Sequence, residues 1–503
     1  MITTFIVLVA LGILGWGFYR ARPFGKLGIL AWLQSVVLMA PWLLFFSLFA
    51  AGIYLNLIGI LVLFVLSTGL YVILGNRLRS LSQDATLSRR ASAIADSQSG
   101  TPETGSEKTV NSEANAPTSV GRSPDLVIQE PDIIPIPVED LKAIQGIFGI
   151  DTFFATETIP YQEGAIFRGN MRKDPEVAFT QLSESLKNRL GDRYRLFLVE
   201  GQDAKPVVIV LPSSRDPKPL TLPQRLLAIA LLLATVLTTL QSAGVTLEID
   251  LISTPNQVAK AIPLASGILG VLLAHELGHW LMARRHQVRL SLPFFIPTLP
   301  LGSFGAITRF ESLLPNRSVL FDVAIAGPAA GGIVSLIMLL VGLSISHAGS
   351  LFTLPSEFFQ GSILVGTLAR VVLRESLQQP TVDIHPLVVL GWLGLVITAL
   401  NLMPAGQLDG GRIVQAIYGR TVAGRTTIAS IIVLGLASLV NPIAIYWAIV
   451  VLFIQRDLER PNLNDLTEPN DARAALGLLI LFLMVATLLP LTPSLAGRLG
   501  IGA

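Results

Sequence analysis

The sequence predicts a polytopic α-helical membrane protein of about ten transmembrane helices, with a small soluble α+β domain inserted before the core of the membrane region. Three observations carry this expectation. Of the 503 residues, 51% are hydrophobic and 14% charged, against about 25% charged in soluble proteins. Apolar runs recur along most of the chain, many of them near the length of about 20 residues that a span requires. Between two groups of runs lies a stretch with the turn signals and alternation of an α+β fold. The formal net charge of +2 is small, so no nucleic acid is expected as a partner and the lipid bilayer is. Cysteine is absent, which excludes thiolate metal sites, cysteine nucleophiles and disulfides. A metal would have to be held by His, Asp or Glu, and there are five histidines.

Residues 1–79 read as an N-terminal three-helix membrane region. The run 2–19 lacks the basic start of a signal peptide and is followed at once by further spans, so it reads as a transmembrane helix. Residues 27–74 hold two more, turning near 51–54. Arg20, Arg22 and Lys26 follow the first span, and Arg77, Arg79, Arg89 and Arg90 follow the third. Both loops are therefore expected on the cytoplasmic side. Residues 80–131 are dominated by small and polar types with scarcely an aromatic, too few apolar groups to offset chain entropy. They read as a disordered linker, with a regulatory tether as the alternative.

Residues 132–215 read as the soluble domain. A short amphipathic helix is expected at 138–148, and Asp174-Pro175-Glu176 supplies an N-cap, an N1 proline and an acidic first turn for a helix to Leu190. Strands at 193–199 and 206–211, with another at 165–169, give β-α-β-β. No catalytic set stands out there, so a docking or regulatory module is expected, on the cytoplasmic side, with a regulatory partner.

Membrane character resumes in the core, residues 222–460. Residues 226–240 span outward and 262–283 inward, closed by Arg284, Arg285 and Arg289. Residues 290–310 are apolar but broken by Pro293, Pro297, Pro300, Gly302 and Gly305. They read as a re-entrant loop, tolerated at such depth only against protein or a wet cavity. Residues 303–310 either offer a strand edge to an extended substrate or merely pack. Spans follow at 319–344 and 387–402, then a pair within 428–454 turning at Asn441-Pro442; the segment 363–373 is too short to cross. Residues 461–503 form a C-terminal loop and a final span at 474–489.

Within the inward span 262–283 stands Ala274-His275-Glu276-Leu277-Gly278-His279. An ionisable group at membrane depth costs about 2.5 to 3.5 kcal/mol even on lenient scales, so three together ask for a partner such as a metal. His275 and His279 at i and i+4 share one helix face, with Glu276 on its flank. This H-E-x-x-H pattern supplies two ligands and a base. A third ligand is expected from Asn401-Leu402-Met403-Pro404-Ala405-Gly406-Gln407-Leu408-Asp409-Gly410-Gly411, where Pro404 ends a helix and the glycines let Asp409 turn back into the bundle. Counting spans brings Asp409 to the cytoplasmic depth of the histidines.

Three protein ligands with an open fourth position define a catalytic rather than a structural zinc site. Zinc (Zn2+) is the expected cofactor, held by His275, His279 and Asp409. Glu276 is the expected base and proton carrier, and peptide-bond hydrolysis the reaction class. Asn401 either donates a hydrogen bond to the substrate backbone or developing oxyanion, or satisfies carbonyls at its helix end. His286, His347 and His385 read as polar residues near the interface. The rival function is a catalytically silent zinc-binding membrane scaffold or chaperone, which would have no use for Glu276. A transporter would predict inverted repeats, and none is evident.

His275-Glu276-Leu277-Gly278-His279, with the N-x-x-P-x-x-x-x-D-G pattern from Asn401 to Gly410, resembles the site-2 protease family of intramembrane zinc metalloproteases (peptidase M50-like). The resemblance implies zinc on His275, His279 and Asp409, a catalytic Glu276, and a transmembrane protein substrate cleaved near the bilayer boundary. Phe167-Arg168-Gly169-Asn170-Met171-Arg172, Asp174-Pro175-Glu176 and Gly191-Asp192-Arg193-Tyr194 are similar to the EGY-like branch of cyanobacteria and chloroplasts, whose G-N-L-R motif here carries Met171 for leucine. The resemblance covers residues 132–475. With no transit segment before the first span, a cyanobacterial-type plasma or thylakoid membrane is expected.

Overall fold

The structure, a computed structural model, describes residues 14–50, 66–67, 70, 73–75, 77, 136–161, 163–201, 205–299, 301–439, 442–452 and 457–501. The start of the first expected span, the turn at 51–54, most of the third span and the linker 80–131 lie outside the described residues. The chain divides into two compact units, Met1–Ile128 with Gly435–Pro442, and Gln129–Leu434 with Ile443–Ala503. In the first unit, helix α1 (Gly25–Ala50) is apolar along its length. The Trp32 indole donates to the Leu14 carbonyl at 2.9 Å.

The second unit opens with α2 (Val138–Gln145), β1 (Phe153–Tyr161), β2 (Gly164–Met171), α3 (Pro175–Leu190), β3 (Tyr194–Glu200) and β4 (Pro206–Pro212). The strands form one antiparallel sheet in the order β1-β2-β4-β3. Asp174 caps α3 by accepting from the Glu176 amide at 3.0 Å, and Ala178, Leu182, Leu186 and Leu190 fall on its buried face. The three leucines pack with Phe153, Phe167, Leu198, Val208 and Val210 in one core, each large side chain contributing about 1.5–3 kcal/mol of burial. The unit is thus β-β-α-β-β rather than β-α-β-β. The extra strand, β1, lies at a sheet edge, and only Phe153 of its nine residues is buried; its sequence therefore shows no apolar alternation.

The apolar part contains α4 (Leu222–Thr246), α5 (Val258–Arg285), a hairpin of β5 (Phe294–Thr298) and β6 (Gly302–Ile307), and α6 (Arg317–Ile345). There follow β7 (Phe352–Pro355), α7 (Ile363–Leu373), β8 (Thr381–Ile384), α8 (Pro386–Asn401), α9 (Asp409–Ala437), α10 (Pro442–Val450), α11 (Asp471–Leu488) and α12 (Pro493–Leu499). Among the described residues, five helices are long and apolar enough to cross a membrane: Leu222–Thr246, Pro255–Arg285, Arg317–Ile345, Asp409–Ala437 and Asp471–Leu488. Gly28–Val37 and Pro386–Asn401 are shorter apolar helices. The protein is a helical membrane protein. On α5 the buried stripe runs Ala261, Leu264, Ala265, Ile268, Leu272, His275, His279, at the spacing of one helix face. Its outer face carries exposed Leu273, Leu277, Trp280 and Leu281, as a lipid-facing surface would.

One feature extends the reading of the sequence and another departs from it. The segment 290–310 is an antiparallel hairpin, prolonged past β6 by the Leu290–Phe310 bridge. Residues 412–427, ahead of the span expected from 428, are helical: α9 begins at Asp409 and is interrupted only at Gly419, whose φ of 81° breaks the helix. That break leaves carbonyls without intrahelical donors, and Arg317 supplies them, with Nε donating to Ala416 at 2.7 Å and an amino group to Ile417 at 2.6 Å.

The four-stranded sheet is fastened to the helical part along its open edge. The Leu198 amide on β3 donates to the Leu463 carbonyl at 2.7 Å, and the Asp465 amide to Leu198 at 2.9 Å. The other side of the same segment donates from Leu463 to Leu314 and from Asn464 to Pro315, each at 2.9 Å. Residues 463–465 thus lie between β3 and the approach to α6.

Candidate metal centre

His275 and His279 emerge from the buried face of α5, and Asp409 opens α9 after the tight turn from the end of α8. Gly406, at φ 49°, makes that turn. A Cβ at Gly411 would meet the Ala405 carbonyl carbon at 2.7 Å, so the glycine lets α9 start directly against the turn. The result is a buried triangle: His275 Nε2 to His279 Nε2 at 3.2 Å, His275 Nε2 to Asp409 Oδ2 at 3.1 Å, and His279 Nε2 to Asp409 Oδ2 at 3.4 Å. Among the described residues, these three form a group of ligand atoms that could hold a metal ion.

Chemistry and geometry agree on what fits. His279 Nδ1 donates to the Val323 carbonyl at 2.8 Å. A carbonyl only accepts, so in the neutral ring the lone pair is on Nε2, toward the other ligands. Ligands about 2.0–2.1 Å from a tetrahedral zinc stand about 3.3–3.4 Å from one another, close to the observed edges. The packing around the triangle is glycine-dependent. A Cβ on Gly327 would lie 2.6 Å from His279 Cε1, and one on Gly331 3.3 Å from His275 Nδ1. The cavity beside the triangle, walled by His279, Ala306, Thr308, Asn401 and Asp409, measures about 10 Å3, room for about one water-sized occupant.

Glu276 lies on the flank of α5, half-buried, and lines a separate cleft of about 490 Å3 with Arg225, Leu273, Trp280 and Thr308. Its Oε2 accepts from the Thr308 hydroxyl at 2.8 Å. Asn401 borders the metal cavity, but its side-chain amide donates to Phe304 at 3.2 Å and Ile397 at 2.9 Å. Its two hydrogens therefore tie β6 to α8 in this conformation. The other histidines lie elsewhere. His286 meets Asp322 at 3.1 Å, His347 faces its neighbouring Ala348 carbonyl, and His385 caps α8.

Reasoning from sequence did not find Thr308, Arg412 or Glu459. Arg412 donates to the Thr308 carbonyl at 2.7 Å and pairs with Glu459 at 2.9 Å. Its guanidinium lies 4.9 Å from the Phe310 ring centre and 3.9 Å from Asp409 Oδ1. Asp409 therefore turns one oxygen to the imidazoles and the other to Arg412. The signal was present for Arg412 alone, which stands three residues after Asp409 and shares its helix face.

A buried two-histidine, one-carboxylate triangle on membrane-length helices defines a membrane metalloprotein. The family model described as Peptidase family M50 matches residues 263–441, and that of the EGY3 middle domain matches 142–219. The chain is 40% identical over 402 residues to the probable zinc metalloprotease EGY1, chloroplastic, of Arabidopsis thaliana, covering 72% of this chain and 73% of that protein. To the probable zinc metalloprotease EGY2, chloroplastic, of the same plant it is 37% identical, covering 72% and 67%. To its probable zinc metallopeptidase EGY3, chloroplastic, it is 30% identical, covering 70% and 65%. The chain belongs to peptidase family M50, in its EGY-like branch. It is a zinc metalloprotease. No solved structure matches it.

Proposed function

We propose that the protein hydrolyses a peptide bond in or near the transmembrane helix of membrane-protein substrates, in regulated intramembrane proteolysis. The observation that carries this reading is the position of the ligand triangle. It is built from the buried face of α5, whose opposite face is exposed and apolar. His275, His279 and Asp409 would hold zinc, which when bound supplies a Lewis acid for the scissile carbonyl and acidifies water. Glu276 takes a proton from the attacking water at its carboxylate and passes it to the departing amine nitrogen. The carbonyl carbon gains a C–O bond and loses its C–N bond, leaving a carboxylate and an amine. Asn401 contributes by holding β6 beside the site, and β6 presents backbone to an extended substrate.

The four-stranded unit acts as a soluble domain inserted before the catalytic core, on the cytoplasmic side, where a regulatory partner docks. Its junction with residues 463–465, next to the start of α6, supports that side. About ten spans follow from adding to the five long helices the two shorter apolar ones and the sequence runs 2–19, 53–74 and 442–454. The test is co-expression of the parent or its Glu276→Gln variant with a labelled single-span substrate. Cleavage by the parent alone, with zinc bound in both, is expected. Equal product from both would sink the proposal.

A further inference from the structure

We propose that Thr308 and Arg412 are positioning residues for Glu276, and that the buried Arg412–Glu459 pair exists to hold that relay in place. The inference deepens the proposed proteolytic function and rests on Glu276 acting as the base.

A carboxylate on a helix flank rotates through a broad, roughly two-fold torsional range. In a half-open cleft nothing intrinsic to Glu276 fixes the plane of its oxygens. The Thr308 hydroxyl does, donating to Oε2 at 2.8 Å, which occupies one oxygen and leaves Oε1 for a proton from water. Thr308 lines both the metal cavity and the Glu276 cleft, so the residue stands between the two, with its hydroxyl on Glu276.

Thr308 is itself immobilised on both sides. The residue after it is paired: the Ser291 amide donates to the Arg309 carbonyl at 2.9 Å, and the Arg309 amide to Ser291 Oγ at 3.0 Å. Two residues before it, Ala306 pairs with Phe295. The Thr308 carbonyl is then taken by Arg412 at 2.7 Å. Arg412 is locked in turn by Glu459, at 3.0 Å from Nε, and by the Phe310 ring. Thr308, Arg412 and Glu459 are all buried.

A buried ion pair is a poor means of gaining stability, since desolvation offsets most of its attraction, and an apolar pair of equal volume often does as well. What the pair supplies is geometry. The planar guanidinium reaches Glu459, the Thr308 carbonyl and the neighbourhood of Asp409 at once, which a lysine ammonium cannot do. One side chain thereby sets the spacing between the strand that orients the base and the helix that carries the third ligand.

The test uses the full chain, a labelled single-span substrate and four variants, with kcat, KM and bound zinc measured for each. Thr308→Val keeps the shape and removes the hydroxyl. Its kcat is expected to fall about 10- to 100-fold, the usual cost of misplacing a catalytic group, with KM and zinc content unchanged. Thr308→Ser restores the hydroxyl and should recover most of kcat. Arg412→Lys should lower kcat without loss of zinc. Full kcat in Thr308→Val, no rescue by Thr308→Ser, or a defect confined to KM would overturn the relay. Glu276→Gln separates the two levels: if it cleaves like the parent, the assignment of the base fails and the relay fails with it. If it is dead while Thr308→Val is fully active, only the relay fails.

Discussion

His275 Nε2 stands 3.1 Å from Asp409 Oδ2, although 134 residues separate them in the chain. Asp409→Asn keeps the shape but replaces an anionic ligand with a neutral amide. Zinc affinity should fall by at least about tenfold, read as zinc retained after dialysis against a graded chelator series. Cleavage should fall with it.

Gly327 leaves the space that the His279 ring occupies. In Gly327→Ala the new Cβ would sit 2.6 Å from His279 Cε1, and the ring must turn off its bond to Val323. Zinc affinity should drop about 10- to 100-fold, while Gly332→Ala, whose Cβ would meet only Thr398 Cγ2 at 3.6 Å, should bind zinc like the parent. A competition titration with a zinc indicator checks both.

Asp322 joins three helices. It accepts from Arg473 at 2.7 and 2.9 Å and meets His286 at 3.1 Å, tying the starts of α6 and α11 to the end of α5. These groups are partly exposed, so the loss in Asp322→Asn is expected at about 1–2 kcal/mol. It should appear as a lower Tm and as earlier protease cleavage ahead of α11.

Tyr194 donates to Asp140 Oδ2 at 2.8 Å, beside the two Arg193 bonds to the same carboxylate. Burial first, then the bond and the charge of Asp140, push its phenol up to about 12 from an ordinary value of 10. A raised folded-state value means that the contribution is complete below about pH 10 and is lost as pH rises toward 12. Melting of the four-stranded unit, followed by near-ultraviolet circular dichroism, should weaken across that window. Tyr194→Phe should flatten the dependence there.

What was legible in the sequence follows from the range of each interaction. His275 and His279 are one helical turn apart, so periodicity alone put them on one face. Asp409 was legible because Pro404 and the glycines around it dictate a turn at a countable depth. Arg412 was signalled only by its place three residues after Asp409, while its partners, Thr308 and Glu459, lie 104 and 47 residues away and leave no local trace. Strand β1 escaped because only Phe153 of its nine residues is buried, so its sequence carries no apolar alternation. The short α+β elements α3, β3 and β4 were found almost to the residue, since caps, turns and alternation are local.

The pairing of residues 463–465 with β3 has a bearing on biosynthesis. An uncovered strand edge invites pairing with other chains, and the segment that covers Leu198 is made only after helices α4 to α10. Asp409 likewise follows both histidines, and Glu459 follows Asp409. The nascent chain therefore carries two of three metal ligands until Asp409 is made, and a bare sheet edge until residues 463–465 follow. A ribosome stalled before residue 409 leaves a polypeptide with both histidines but no third ligand, without the parts to cut anything in the bilayer.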